Sequence, residues 1–160
     1  MTFLLFSDSH GSLGAMEAAA QSEPHDRILF LGDTDQDIVY FQKTHPREAV
    51  CKVAGNNGFS YNDAAFEKII TAGAYQIFCC HGHRYHVKSS YDALLRTARE
   101  KQCRIALFGH THRQFAQDRD GVLLLNPGSA GYHGEYAVLH KSEQQHADKP
   151  PAQGAFQADD

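Results

Sequence analysis

Two short stretches, His81-Gly82-His83 and His110-Thr111-His112, each set a pair of imidazoles one residue apart. Imidazole nitrogens suit borderline divalent cations. The chain, however, holds 11 histidines in 160 residues, a density at which roughly one His-x-His pair arises by chance. Spacing alone therefore decides little, and the surroundings decide more. Each pair follows an apolar run, "QIFCC" or "RIALF", and three more such runs end in metal-capable side chains: Asp8 and His10 in "FSDSHG", Asp33 in "LGD", Asn56 in "AGNNG". The resulting set is Asp8, His10, Asp33, Asn56, His81, His110 and His112, all oxygen or imidazole and none thiolate. One zinc ion takes only three or four protein ligands, so the set exceeds a single site. Two ions sharing a carboxylate would use all of it. Mixed N/O donors suit Mn²⁺, Fe²⁺, Zn²⁺, Co²⁺ or Ni²⁺.

Elements that position such a set must bring five chain segments to one place. Short apolar runs alternating with helical segments predict an α/β domain. Strands are expected at "TFLLF", "RILFLGD" and "EAVCKVAGNNG", a two-stranded hairpin over 66–80 with a Gly near its middle, then "RIALFGHTH". The Asp118-to-Gly121 turn signal leads into "VLLLNPGS" and "EYAVLHK". Helices are expected over 12–21, with a capping Ser, over 35–44, ending before His45-Pro46, and over about 90–102. In α/β sheets the crevice beyond the carboxyl ends of strands is where ligands bind. Gly32, Gly55 and Gly109 are expected to turn the backbone sharply there. His110 and His112 are expected to share one face of an extended segment, with Thr111 turned away.

Length and composition predict one domain, residues 1–141, with a mobile polar tail over 142–160. A net charge of −4 with 15 basic residues predicts no extended nucleic-acid surface and no anionic-membrane surface. Positive charge for a phosphate would have to come from metals. No apolar run has the length of a membrane span and "MTFLLFSDSH" lacks a basic leader, so a cytoplasmic protein is expected. The four cysteines read as reduced thiols within apolar stretches. His25, His45, His86, His140 and His146 read as surface residues.

Asp-x-His at Asp8, Gly-Asp at Asp33, Gly-Asn at Asn56, His-Gly-His at His81 and Gly-His-x-His at His110, in this order, resemble the calcineurin-like metallophosphoesterase family, and "NPGS" at 126–129 extends the match. Small single-domain prokaryotic phosphodiesterases are the branch it resembles most. The resemblance implies an αββα sandwich, two mixed β-sheets packed face to face with helices outside. It implies two divalent transition-metal ions, Mn²⁺ first, with Ni²⁺, Fe²⁺, Zn²⁺ and Co²⁺ as alternatives. Asp8, His10 and His112 would hold the first ion, Asn56, His81 and His110 the second, and Asp33 would bridge them. The implied activity is hydrolysis of a small phosphodiester by attack of a metal-bridging hydroxide on phosphorus.

The pattern departs from the family where many members carry a His after Gly-Asn, thought to protonate the leaving group; here Asn57 and Gly58 stand there. His83 is the candidate substitute, with an ordinary surface histidine as the alternative. The expected catalytic group is Asp33, Asn56 and His83. Asn56 retains a second reading as a turn-forming residue before Asn57-Gly58, and "NPGS" a second reading as a structural turn. Two rival functions remain: a non-catalytic scaffold of the same fold that binds a protein partner, and a mononuclear metal-storage or sensing protein, which would leave Asp33 nothing to bridge. A homo-oligomer is compatible with the sequence.

Overall fold

The computed structural model describes residues 1–57, 65–141 and 155–159. Its first sheet contains β1 (Thr2–Phe6), β2 (Arg27–Phe30), β3 (Val50–Lys52), β9 (Tyr136–His140) and β10 (Ala155–Asp159), in the order β10-β9-β1-β2-β3. The second contains β4 (Glu67–Ala72), β5 (Tyr75–Cys80), β6 (Ile105–Leu107), β7 (Gln114–Arg119) and β8 (Val122–Pro127), in the order β4-β5-β6-β8-β7. Parallel pairs β1/β2, β2/β3, β5/β6 and β6/β8 sit beside antiparallel β1/β9, β4/β5 and β7/β8. Both sheets are therefore mixed, as expected.

Alternation along each strand builds the layers. In β1, Phe3 and Leu5 join Leu29, Ile77, Cys79, Ile105 and Leu107 in the core between the sheets. Leu4 and Phe6 face the other way, onto Met16 and Ala19 of α1 (Gly14–Ser22) and Ile38 and Phe41 of α2 (Asp35–Thr44). Phe78, Ala106 and Leu124 of the second sheet meet Leu94 and Ala98 of α3 (Asp92–Glu100). Period-2 strands apolar on both faces can sit only between another sheet and a helix layer. Each fully buried Leu or Phe contributes roughly 1.5–3 kcal/mol to that arrangement. Cys79, Cys80 and Cys103 are buried and Cys51 half-buried, all four unbridged.

Helix α2 ends at Thr44 as the His45-Pro46 sequence predicts. Helix α1 starts later than expected, at Gly14, and no side chain caps it. A four-residue helix, α4 (Ala130–His133), follows "NPGS", and Ser129 caps it by accepting from Tyr132 N. The sequence reading contains neither α4 nor the single 3-10 turn at His83–Tyr85. Both are too short for a periodicity signal.

The predicted tail needs correction in part. Residues 142–154 and 160 lie outside the described residues, but Ala155–Asp159 forms β10, parallel to β9. Ala158 is buried in the inter-sheet core and Phe156 packs against it. Five residues inside a polar stretch carry little strand signal; an available sheet edge supplies the partner. Removal of residues 155–160 should lower the melting temperature by several degrees, since losing the Phe156 and Ala158 packing costs about 1–3 kcal/mol. Unchanged thermal unfolding by circular dichroism would show β10 to be dispensable.

His25 also departs from the surface reading. Its Nε2 lies 2.8 Å from Glu48 Oε2 and its Nδ1 2.7 Å from Glu23 O. Burial alone would lower its pKa, but acceptors on both ring nitrogens outweigh it, so the net shift is upward from 6.5. A folded-state pKa above the unfolded one gives stability that is complete below the unfolded value and lost as pH rises through the folded value. Glu48→Gln should therefore destabilise the protein most near about pH 6 and least near about pH 9. A melting-temperature difference independent of pH would contradict this.

Candidate metal centre

Parallel pairing of β1 with β2 and of β5 with β6 sends the exits of each sheet to one edge, and the bond from His110 N to Asp8 Oδ2 joins the two edges. The loops leaving them turn through left-handed backbone at the proposed ligands themselves: φ is +54° at Asp8, +45° at His10, +79° at Asp33, +71° at His110 and +60° at His112. Such conformations cost roughly 1–3 kcal/mol each outside Gly and persist only where surrounding contacts impose them. The segment expected to be extended at His110-Thr111-His112 is thus a tight turn, and Thr111 lies between two residues of left-handed backbone. Its Oγ1 accepts from the buried Asn126 Nδ2 at 3.0 Å. Of the three glycines, only Gly32 has positive φ, +93°. Gly109 and Gly55 permit close approach instead: a Cβ on Gly109 would lie 1.9 Å from Ser7 Oγ, and one on Gly55 2.3 Å from Asp33 N.

Asp8 is wholly buried. Its Oδ2 accepts from Ser7 Oγ at 2.6 Å and His110 N at 3.0 Å. Oδ1 is shielded from solvent yet has no donor among the described residues. Around it stand His112 Nε2 at 3.2 Å, His10 Nε2 at 3.6 Å and His81 Nε2 at 3.8 Å. Asp33 Oδ2 is 3.5 Å from His10 Nε2. One ligand atom from each of Asp8, His10, Asp33 and His112 lies within 4.8 Å of the others, close enough to share one ion. His81 and His110 stand beside this group, with His110 Nδ1 3.3 Å from His81 Nε2. His81 Nδ1 is 2.8 Å from Leu31 O, and because a carbonyl only accepts, Nδ1 carries the proton and Nε2 presents a lone pair. Burial, then His81 and Lys88, hold the His110 pKa down to about 4, so that its ring is neutral near pH 7. Imidazole nitrogens converging on an unsatisfied buried carboxylate oxygen are a donor set that fits a divalent cation.

The other predicted residues are placed less uniformly. Asn56 is exposed, and its side chain makes no hydrogen bond among the described residues. Its neighbour Asn57 contacts Asp33 instead, with N donating to Oδ1 at 2.6 Å and Nδ2 to Oδ2 at 3.3 Å. His83 packs at ring-centroid distances of 5.4 Å from His81 and 6.2 Å from His110, and its buried Nδ1 has no partner among the described residues. Burial and the adjacent His81 and Arg84 lower its pKa.

Sequence reasoning missed the residues that hold the loops in register. Asp35 accepts from Asp33 N at 3.1 Å and Gly55 N at 3.2 Å, tying the β2 and β3 exits. Asp37 accepts from Ser9 Oγ and Gly11 N, both at 2.7 Å, tying the β1 exit to the same first turn of α2. Asn126 Nδ2 donates to Gly109 O at 2.9 Å, and Ser129 Oγ to Asp8 O at 2.9 Å. The "NPGS" stretch ends β8 and leads into α4, and it forms the clasp between the His110 and Asp8 loops. A hint was present in the acids at the start of α2, which read equally as ordinary dipole-complementing residues.

Two mixed sheets flanked by helices, with an Asp/His cluster at the carboxyl ends of their strands, define a metallophosphoesterase-fold protein. The chain belongs to the calcineurin-like phosphoesterase superfamily: the model of the calcineurin-like phosphoesterase superfamily domain matches residues 1–144. It is 30% identical over 130 residues, 81% of this chain and 75% of the relative, to the Bacillus subtilis "Probable metallophosphoesterase YsnB". It is 35% identical over 104 residues, 65% of this chain and 55% of the relative, to vacuolar protein sorting-associated protein 29 of Schizosaccharomyces pombe. The solution structure of Thermotoga maritima protein TM1076 superposes with a TM-score of 0.63 at 32% identity, covering 89% of this chain and 92% of that one.

Proposed function

We propose that this chain is a two-metal phosphodiesterase in which Asp8, His10, Asp33 and His112 hold one ion and Asp33, Asn56, His81 and His110 the other. The observation that carries the reading is Asp8 Oδ1, buried, without a donor and faced by three imidazole nitrogens. Bound there, two divalent ions would supply a nucleophile from water near neutral pH and offset the phosphoryl charge. Mn²⁺ is the ion the family resemblance puts first, and Ni²⁺, Fe²⁺, Zn²⁺ and Co²⁺ suit the same N/O donors. Among the described residues, no helix is long and apolar enough to cross a membrane.

The chain's own residues set the rest. The His81 Nδ1 bond to Leu31 O fixes the tautomer that presents Nε2. Asn57 holds Asp33 from both amides and, unlike an imidazole, has no proton to give a leaving group. His83 borders the cluster, but burial with His81 and Arg84 beside it lowers its pKa and so disfavours the imidazolium. Proton donation is therefore weak, which favours esters with good leaving groups and diesters over alkyl monoesters.

The test is hydrolysis of bis(p-nitrophenyl) phosphate against the p-nitrophenyl monoester by metal-stripped protein with Mn²⁺, Ni²⁺, Zn²⁺ or Mg²⁺ restored, beside Asp33→Asn. Metal-dependent diester turnover lost in the variant supports the reading. Two metals bound without turnover would favour a protein-binding scaffold, a reading that draws on the similarity to vacuolar protein sorting-associated protein 29.

A further inference from the structure

Five large apolar or aromatic side chains are prominently exposed among the described residues: Met1, Tyr40, Phe66, Ile69 and Tyr132. Ring contacts place two of them against the imidazole cluster. Phe66 lies 5.8 Å from His83, but the Arg84 guanidinium covers it at 3.8 Å from its centroid. Tyr132 is different. One face stacks on His10 at 4.6 Å and 28°, with His112 at 5.2 Å, while the residue remains 63% exposed. An aromatic face left open to water directly beside a candidate metal centre offers a bound group apolar contact that water cannot match.

The ring is also held firmly. Ala130 N donates to Ser7 O at 3.0 Å, Gly131 N to Asp8 O at 3.1 Å and Tyr132 N to Ser129 Oγ at 3.0 Å. Gly131 sits so close to the Asp8 loop that a Cβ would lie 1.9 Å from Ser9 O. Helix α4 is thereby locked to the loop carrying Asp8 and His10, so the Tyr132 backbone and the candidate ligands move as one unit. A platform fixed in this way needs little ordering when a group stacks on it.

We propose that Tyr132 is a specificity-determining residue whose open face stacks on a planar aromatic ester substituent, such as an aryl group or nucleobase, of the phosphorylated ligand. The assignment rests on the phosphodiesterase reading for its substrate class, but its ligand preference can be measured without turnover. Because base–aromatic stacking is sequence-tolerant and strong enough to change affinity about fivefold or more, losing it should be visible in KM.

Bis(p-nitrophenyl) phosphate and methyl p-nitrophenyl phosphate share a leaving group and differ only in the second substituent. The full-length Mn²⁺-loaded protein should prefer the aryl diester in kcat/KM. Tyr132→Leu should raise KM for it at least about fivefold and leave the methyl diester nearly unchanged, whereas Tyr132→Phe keeps the preference. Equal losses on both substrates would mean that Tyr132 merely supports His10, and would overturn the assignment. Calorimetric binding of phenylphosphonate against methylphosphonate is the companion measurement. Should neither diester be hydrolysed, tighter phenylphosphonate binding that disappears in Tyr132→Leu still upholds the stacking role while the phosphodiesterase reading falls. No phenyl preference in the wild-type protein overturns the stacking role whether or not the protein is a phosphodiesterase.

Discussion

Replacement of Asp8 by Asn is expected to abolish metal-dependent diester hydrolysis and, with it, the thermal stabilisation that added Mn²⁺ confers. The reason is local. Asp8 Oδ1 has no donor and three imidazole nitrogens around it, while Oδ2 is occupied by Ser7 Oγ and His110 N. An amide keeps one acceptor oxygen for those two donors but turns an NH₂ toward the imidazoles, where a cation would need a lone pair. Loss of a partner to a metal ligand typically costs about 10–100-fold in affinity or activity, so loss of a ligand itself should exceed that. Metal-free stability should change little or rise, because the substitution also removes a buried carboxylate charge without a full set of donors. Melting curves with and without Mn²⁺ read both halves of the expectation, since binding to the folded state stabilises by RT ln(1 + [L]/Kd). A metal-induced shift as large in Asp8→Asn as in the wild-type protein would remove Asp8 from the site.

The second large effect concerns Gly109, which nothing in the chemistry of ligands requires. A Cβ there would lie 1.9 Å from Ser7 Oγ, 2.8 Å from Ser7 Cβ and 2.8 Å from Asp8 Oδ2. Ser7 is itself fully buried, and its hydroxyl is engaged by Asp8, so it has nowhere to move. Gly109→Ala should destabilise by about 1–3 kcal/mol through overpacking, a melting-temperature loss of roughly 2–12 °C for a chain of this size. Metal affinity should fall as well, because the strain is delivered to Asp8 and to the His110 turn. Ser7→Ala alone loses a charge-assisted hydrogen bond, worth about 1.5–3 kcal/mol. In the double variant the clashing Oγ is gone, so its cost should be clearly less than the sum of the single costs, a coupling that a double-mutant cycle measures. Additive costs would show that the Ser7–Gly109 contact is not what excludes a side chain at 109.

The strand-to-loop pattern was legible because both relevant periodicities are local. Short apolar runs such as "TFLLF" and "RILFLGD" need no distant partner to be recognised, and metal-capable residues following such runs mark the strand exits. Helix α2 could be read to its last residue from His45-Pro46. The clasp residues could not, since Asp35, Asp37, Asn126 and Ser129 bond to loops far away in sequence, and as isolated letters they suit ordinary caps and turns. Asn57 illustrates the same limit: its sequence position shows what is missing from it, whereas its donation to Asp33 depends on two loops meeting.

The residue types offered to a metal, the strands that end in them and the α/β class are legible in single segments, because ligand chemistry and apolar runs are local, whereas the αββα layering is what the family resemblance of the ordered motifs implies. Tertiary structure alone decided that β10 closes the first sheet and that His25 is tied between Glu23 and Glu48. It also decided that the ligand loops are left-handed turns held by α2 and α4, and that Tyr132 stands over His10. Each of these depends on which segments come within a few ångströms of one another, and that is set by sheet order and register, not by any one stretch of chain.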